Sequence, residues 1–184
     1  MNLGRFRPPE GPHSSKVLQT PDYAQAVMVG CGVPPGDAQG RVAARLGRQA
    51  ILSRPTPPAL HALLDEAVLR RALGGPQVMA RQLRHLVEAA ERPTVTLRVV
   101  PLTAGAHTGL DGSFALFDFP RNRSVVYLDH KLTGLFLEEP EQVAVFRRAA
   151  EALAAIALSP ADSKDIVARI AAEHERGGVS DGHA

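Results

Sequence analysis

Two histidines and several carboxylates lie between Arg98 and His130. His107 is in a Gly-Ala-His-Thr-Gly loop, and His130 directly follows Asp129. Imidazole titrates near neutral pH, so either ring could transfer a proton, and the glycines beside His107 allow a ligand to approach closely. We therefore predict His107 and His130 as candidate catalytic residues. The alternative for His107 is a ring that hydrogen-bonds the backbone of its own loop.

A pair of carboxylates, Asp65 and Glu66, follows the apolar run 59–64. Burial at the end of such a run would raise the pKa of a carboxyl group and suit it to act as a general base. Both are therefore candidate catalytic residues. The structural alternative is that one of them caps the following helical turn or pairs with Arg70 or Arg71.

The segment around the histidines also supplies four candidate ligand-binding side chains. Adjacent residues on a regular strand point to opposite faces, so residues 129 and 130 cannot both enter one pocket there. An aspartate that precedes a glycine can simply make an Asx turn, and this is the alternative at position 111. The four candidates are Asp111, Phe114, Tyr127 and Asp129.

The sequence predicts neither a metal nor a cofactor. Two histidines and an aspartate could form a facial metal triad, but their spacing matches no metal motif. The glycine-rich loop 105–112 is not followed by a predicted helix, as a phosphate-binding fingerprint requires. Cys31 is the single cysteine, which excludes an internal disulfide and a cysteine-built metal cage. Any catalysis would therefore rely on acid–base chemistry alone.

Strands and helices must position these residues. Three segments have the alternation and β-branched or aromatic content of strands: Thr94–Val100, Ser113–Phe119 and Ser124–Asp129. Their connections are too short for parallel crossovers, so we expect antiparallel pairing. Ala59–Leu64 is a further possible strand, and Leu132–Leu137 is a short apolar run. Helices are predicted by N-terminal prolines and apolar periodicity over Pro21–Val29, Asp37–Ile51, Pro76–Glu91, Glu139–Leu158 and Ala161–His174.

This order of elements predicts an α+β fold. We expect a central, mainly antiparallel sheet of about three to five strands, flanked by N-terminal and C-terminal helices. Residues 1–15 contain several prolines and predict an extended lead-in. Residues 16–175 form a single predicted domain, and residues 176–184 a disordered tail.

Composition excludes some classes of partner. The 184 residues include 21 basic and 19 acidic side chains, a net charge of +2, which is too small a surplus to indicate nucleic-acid binding by this chain alone. No apolar run approaches the roughly 20 residues that span a bilayer, and the N-terminus lacks an apolar signal core. We therefore expect a cytoplasmic protein without a membrane partner.

A longer set of motifs resembles a known family. Six segments carry the resemblance in order and with matching spacing over residues 15–172: LQTPDYAQAVM, RVAARLGRQAIL, LLDEAVLRR, the run from Gly74 to Pro120, VVYLDH and LTGLFLEEPEQV. They are similar to a widespread actinobacterial domain of unassigned function, which follows an XRE-type helix-turn-helix in antitoxin-like transcriptional regulators. Those regulators usually have a glutamate soon after the YL of the last strand, whereas this chain has Asp129-His130.

Three functions follow as expectations. The resemblance implies a regulator-type domain, here expected to lack the DNA-binding helix-turn-helix, that binds a small organic ligand or a protein partner. The second is a cofactor-independent acid–base enzyme of natural-product biosynthesis, such as a cyclase, isomerase, dehydratase or hydrolase. The third is an antitoxin-like partner of a small protein encoded nearby, for which the amphipathic helices 139–158 and 161–174 could offer the binding face. A homodimer is an alternative to such a protein partner. Whether the chain is an enzyme stays open at this point.

Overall fold

The computed structural model describes residues 14–120, 123–129 and 133–180, and it has the α+β class that the sequence predicts. Six helices lie within these ranges: α1 Pro21–Gly30, α2 Pro35–Gln49, α3 Glu66–Arg70, α4 Pro76–Ala89, α5 Pro140–Ile156 and α6 Pro160–Ser180. The strands in the same ranges are β1 Leu60–Asp65, β2 Val95–Val100, β3 Phe114–Phe117, β4 Val125–Asp129 and β5 Gly134–Leu137. Short 3₁₀ turns cover Ser14–Leu18, Ala50–Ser53, Leu102–Ala104 and Thr108–Asp111.

The strands form two sheets. β3, β4 and β5 make a three-stranded antiparallel sheet, whereas β1 and β2 make a parallel pair with Leu60 opposite Val95 and Asp65 opposite Val100. The expected antiparallel pairing of residues 94–100 with 113–119 is wrong. The partner of β2 is β1, and the two are joined by a crossover through α3 and α4, which is long enough for a parallel pair.

The backbone of Val99 shows why β2 does not pair with β3. Its N–H donates to the Ser163 hydroxyl at 3.0 Å, and its carbonyl accepts the Leu158 N–H at 2.9 Å. Arg98 on the same strand donates to the Ala157 and Leu158 carbonyls. The junction between α5 and α6 therefore forms hydrogen bonds with the backbone groups of β2 to which an adjacent strand would otherwise bind.

The main core lies between the β1–β2 pair and the helices α4 and α6. Leu83 and Val99 are fully buried, and Leu97 and Ile170 are 1% exposed. Pro76 opens α4 behind two glycines of positive φ, and apolar residues at helical spacing make its buried face. Ser159 caps α6 by accepting the Asp162 N–H, as its position before a proline predicts. This helix reaches Ser180, beyond the predicted domain limit at residue 175.

Helix α5 connects the two sheets. A small cluster of Val100, Leu153 and Ala157, with the partly buried Phe114, joins α5 to both β2 and β3. The predicted lead-in 1–15 lies outside the described residues, except for Ser14 and Ser15 in the first 3₁₀ turn. None of the helices in the described ranges has the length and apolar character needed to cross a membrane.

Candidate functional site

Asp65 and His107, two of the predicted catalytic residues, meet at the carboxyl end of the parallel pair. Asp65 is the last residue of β1, where its Oδ1 accepts the Ala67 N–H at 2.7 Å and caps α3. Its Oδ2 lies 3.2 Å from Nε2 of His107. The predicted capping role of this carboxylate pair is therefore confirmed, and the same carboxylate also lies beside the imidazole.

The ring of His107 is almost completely enclosed, with 7% of the side chain exposed. Its Nδ1 is buried and has no hydrogen-bond partner in the part of the chain that the structure describes. Gly109 packs against this side of the ring, because a Cβ added there would lie 3.0 Å from Nδ1 and 3.3 Å from Cδ2 of Leu153. The Gly109 turn and α5 thus cover the nitrogen that the Asp65 contact leaves available.

Glu66 is buried beside this pair and holds the following loop. Its Oε2 accepts the Leu102 N–H at 3.0 Å, and its Oε1 accepts from Arg70 at 2.7 Å. Burial alone would raise the pKa of the Glu66 carboxyl, but the Leu102 amide and the Arg70 guanidinium outweigh it and hold that pKa below its usual range. The expected raised pKa is therefore wrong for Glu66, and the predicted pairing with Arg70 is confirmed.

Tyr127 and Asp129, two predicted ligand-binding residues, contact each other on β4. The Tyr127 hydroxyl donates to Oδ1 of Asp129 at 3.0 Å, and Lys16 forms an ion pair with the other carboxylate oxygen. Burial and the neighbouring carboxylate raise the pKa of the Tyr127 hydroxyl. The ring of Tyr127 packs on Phe136 with the centroids 4.7 Å apart. These contacts join β4 to β5 and to the first 3₁₀ turn.

Two other predicted residues, Phe114 and Asp111, are not brought together with the Asp65–His107 pair. Phe114 packs on Phe146 of α5 with ring centroids 5.2 Å apart, and it also packs against the cluster of Val100, Leu153 and Ala157. Asp111 is exposed at the end of the Thr108–Asp111 turn. His130 lies outside the described residues.

A cleft that the sequence did not predict lies between α5 and one end of the antiparallel sheet. We call it the α5 cleft, and its volume is about 390 Å³. Six of its residues follow one another on α5 at helical spacing, and the others precede β4 or follow β5. The lining residues are Arg123, Ser124, Glu138, Pro140, Val143, Ala144, Arg147, Arg148 and Glu151.

Arg147 makes hydrogen bonds to neighbouring side chains at one side of the α5 cleft. Its Nη2 donates to Oδ1 of Asp118 at 2.6 Å and to the Ser124 hydroxyl at 3.1 Å, while Ser124 itself donates to Asp118 at 2.5 Å. Arg147 and Ser124 hold the pKa of the Asp118 carboxyl below its usual value, against the opposing effect of burial. This network ties the segment before β4 to α5, so the cleft has a defined wall.

No group of three or more histidine, cysteine, aspartate or glutamate side chains is placed to hold a metal ion among residues 14–120, 123–129 and 133–180. The α5 cleft instead combines a short apolar surface with guanidinium and carboxylate groups. Those groups can bind an organic molecule by apolar contact and charge-assisted hydrogen bonds.

Comparison with known proteins identifies a matching family. The sequence model of a family described as Domain of unknown function (DUF5753) matches residues 14–169. No curated protein and no solved structure matches the chain. The matched range contains the Asp65–His107 pair and the whole lining of the α5 cleft.

Proposed function

The chain belongs to the family described as Domain of unknown function (DUF5753), and on that scaffold we propose that it binds a small organic molecule in the α5 cleft without transforming it. The observation that carries the proposal is the cleft of about 390 Å³ whose wall is fixed by Arg147, Asp118 and Ser124. That volume is within the range of about 300–1,000 Å³ typical of small-molecule sites.

The Asp65–His107 pair supports binding less well than the α5 cleft does. Only 7% of the His107 side chain is exposed, and the Nδ1 that would act as a base is covered by Gly109 and Leu153. A substrate would have to displace the Thr108–Asp111 turn to reach it. In our proposal the pair holds the loop after β2 in place, and the ligand binds elsewhere.

The second candidate function is a cofactor-independent acid–base enzyme. One observation favours it: Asp65 lies 3.2 Å from Nε2 of His107, an arrangement that orients an imidazole for proton transfer. This candidate requires the Thr108–Asp111 turn to open and expose Nδ1. The two functions differ in a simple outcome, which is whether a bound molecule is recovered unchanged.

Binding to a protein partner through α6 is less favoured by the described contacts. Of the two helices expected to offer a binding face, α6 buries Val167, Ile170 and Ala171 in the core of this domain. Helix α5 exposes Val145 and Ile156 to the extent of 53% and 41%. We also propose the regulator relationship and the cytoplasmic location that the sequence predicts. Genomic neighbours that encode a regulator or a toxin would support the regulator relationship.

The experiment is a thermal-shift screen of a library of small organic molecules, followed by calorimetric titration of each hit. Ala144 lines the α5 cleft, so Ala144→Phe fills it without changing its charge. Ala152→Phe is the matched control, because Ala152 is exposed on the same helix and does not line the cleft. We expect hits to lose binding in Ala144→Phe alone.

Mass spectrometry of each hit after incubation with the protein separates the two candidate functions. Unchanged molecules support binding without catalysis. Conversion that disappears in His107→Ala and persists in Ala144→Phe would instead support the enzyme and contradict our proposal. Hits that bind Ala144→Phe and the wild-type chain equally would also contradict it.

A further inference from the structure

Apolar and cationic groups are separated along the α5 cleft. A helix rises about 1.5 Å per residue, so the lining of α5 from Pro140 to Glu151 extends over roughly 16 Å. Its first part is apolar, with Pro140, Val143 and Ala144, and the next turn carries Arg147 and Arg148. A ligand lying along the helix would therefore place an apolar body at one end and a polar group near the arginines.

Two of the three arginines in the cleft are available to a ligand. Arg147 is already paired with Asp118 at 2.6 Å. Arg123 and Arg148 have no carboxylate within ion-pair distance in the described ranges, although both line the cleft. Arg123 comes from the segment before β4 and Arg148 from α5, so the guanidinium groups reach the cleft from two different elements. Guanidinium groups bind carboxylates with directional, charge-assisted hydrogen bonds.

Glutamates limit the negative charge that this cleft accepts. Glu138 follows β5 near the first turn of α5, and Glu151 lies one turn beyond Arg147 and Arg148. Like charges repel, so these carboxylates disfavour a ligand with several negative charges, such as a phosphate ester. The cationic region between them still favours a single negative charge.

We propose that the α5 cleft binds a small monocarboxylic acid, with its apolar body on Val143 and Ala144 and its carboxylate beside Arg123 and Arg148. The inference rests on the proposed binding function and adds the chemical class of the ligand. Arg148 and Arg123 then determine which ligands the cleft selects. Arg147 holds the segment before β4 against α5 through Asp118 and Ser124.

Three probes with the same apolar body test the ligand class: 4-phenylbutyrate, 4-phenylbutanol and 4-phenylbutylamine. Each is titrated into the full chain, and binding is followed by chemical shift changes in amide NMR spectra. We expect the acid to bind about tenfold more tightly than the alcohol or the amine, the ratio that one net charge-assisted hydrogen bond gives. Arg148→Gln should remove that advantage and leave the affinity for the alcohol unchanged.

Arg41→Gln is the charge-matched control, since Arg41 is exposed on α2 and does not line the cleft. It should leave all three affinities unchanged. Equal affinities of the three probes in the wild-type chain would overturn the inference. So would an equal loss of affinity for the acid in Arg41→Gln and Arg148→Gln.

Failure of the ligand class and failure of the proposed function give different results. If the alcohol or the amine binds at least as well as the acid, and Ala144→Phe abolishes that binding, the cleft is a binding site for another class of molecule. If no probe binds, the monocarboxylic class is wrong, and library hits that depend on Ala144 still uphold the proposed function. If no library hit depends on Ala144 either, both are wrong.

Discussion

Replacing Glu66 with glutamine removes a charge that connects three segments of the chain. The carboxylate accepts the Leu102 N–H at 3.0 Å and the Arg70 Nε at 2.7 Å, and Arg70 in turn pairs with Glu173 of α6 at 3.1 Å. Glutamine has a similar shape but only one acceptor oxygen. Its amide nitrogen would face either the Leu102 amide or the Arg70 guanidinium, and both of these are donors.

The expected loss of stability follows from how far the Glu66 and Arg70 side chains are buried. The Glu66 side chain is 8% exposed, so loss of one charge-assisted hydrogen bond at this site costs about 1.5–3 kcal/mol. Arg70 is 37% exposed, so solvent screens its ion pair, and we assign that pair less than about 1 kcal/mol. We therefore expect Glu66→Gln to lower the free energy of unfolding by about 2–3 kcal/mol at pH 7, or the melting temperature by roughly 4–12 °C.

The loss of stability caused by Glu66→Gln should depend on pH. The folded state holds the pKa of the Glu66 carboxyl below its unfolded value, so the folded state binds fewer protons and stability rises with pH. The stabilisation is complete above the unfolded pKa of about 4.3 and is lost as the pH falls through the lower folded value. The difference between the wild-type chain and Glu66→Gln should therefore be constant from pH 6 to pH 8 and shrink below about pH 4.

Urea denaturation followed by circular dichroism measures both effects. Glu91→Gln is the matched control, because Glu91 is 66% exposed in its pair with Lys164 and its loss should cost less than about 1 kcal/mol. A loss of stability in Glu66→Gln no larger than that in Glu91→Gln would show that the buried carboxylate is not stabilising. A difference from the wild-type chain that persists unchanged to pH 3 would show that ionisation of Glu66 is not its cause.

Two further substitutions test individual contacts of Gly109 and Gln82. Gly109→Ala places a methyl group 3.0 Å from Nδ1 of His107, and should lower the free energy of unfolding by about 1–2 kcal/mol in a urea titration. The same change should cost less in a His107→Ala background, where the contact with Leu153 remains, and an equal cost in both backgrounds would contradict the assigned contact. Gln82→Leu leaves the Thr20 amide and the Leu18 carbonyl without the partners they have at 2.7 and 2.8 Å, so we expect a loss of about 2–4 kcal/mol by the same measurement. A loss below about 0.5 kcal/mol would show that water replaces both bonds.

Local signals in the sequence account for most of the elements. Pro21, Pro76 and Pro140 mark N-terminal turns of helices that the structure contains, and Ser159 caps α6 as expected. These signals act within a few residues along the chain, so they can be recognised without knowledge of the fold. The α+β class follows from their order.

Strand pairing could not be predicted in this way. The backbone N–H and carbonyl of Val99 form hydrogen bonds with Ser163 and Leu158. These two residues are far from Val99 in sequence, and nothing in the local sequence around them indicates this contact. The parallel pairing of β1 with β2 is also the reason that Asp65 and His107 meet, because it brings the loop after β2 to the end of β1. The sequence identified both residues without predicting their contact.

The α5 cleft was missed for a related reason. The spacing of Val143, Ala144, Arg147 and Arg148 is typical of an amphipathic helix, and nothing local distinguishes a helix face that lines a cleft from one that packs on a sheet. The opposite wall depends on Asp118 and Ser124, which are brought to Arg147 only by the antiparallel sheet.

A crystal structure of the chain soaked with its tightest-binding library hit shows which of the two sites holds the ligand. We expect electron density for the ligand in the α5 cleft, in contact with Ala144 and Arg148, and no change at the Asp65–His107 pair. Density beside His107, with the Thr108–Asp111 turn displaced, would rule out binding in the cleft and favour an acid–base site at the end of the parallel strands.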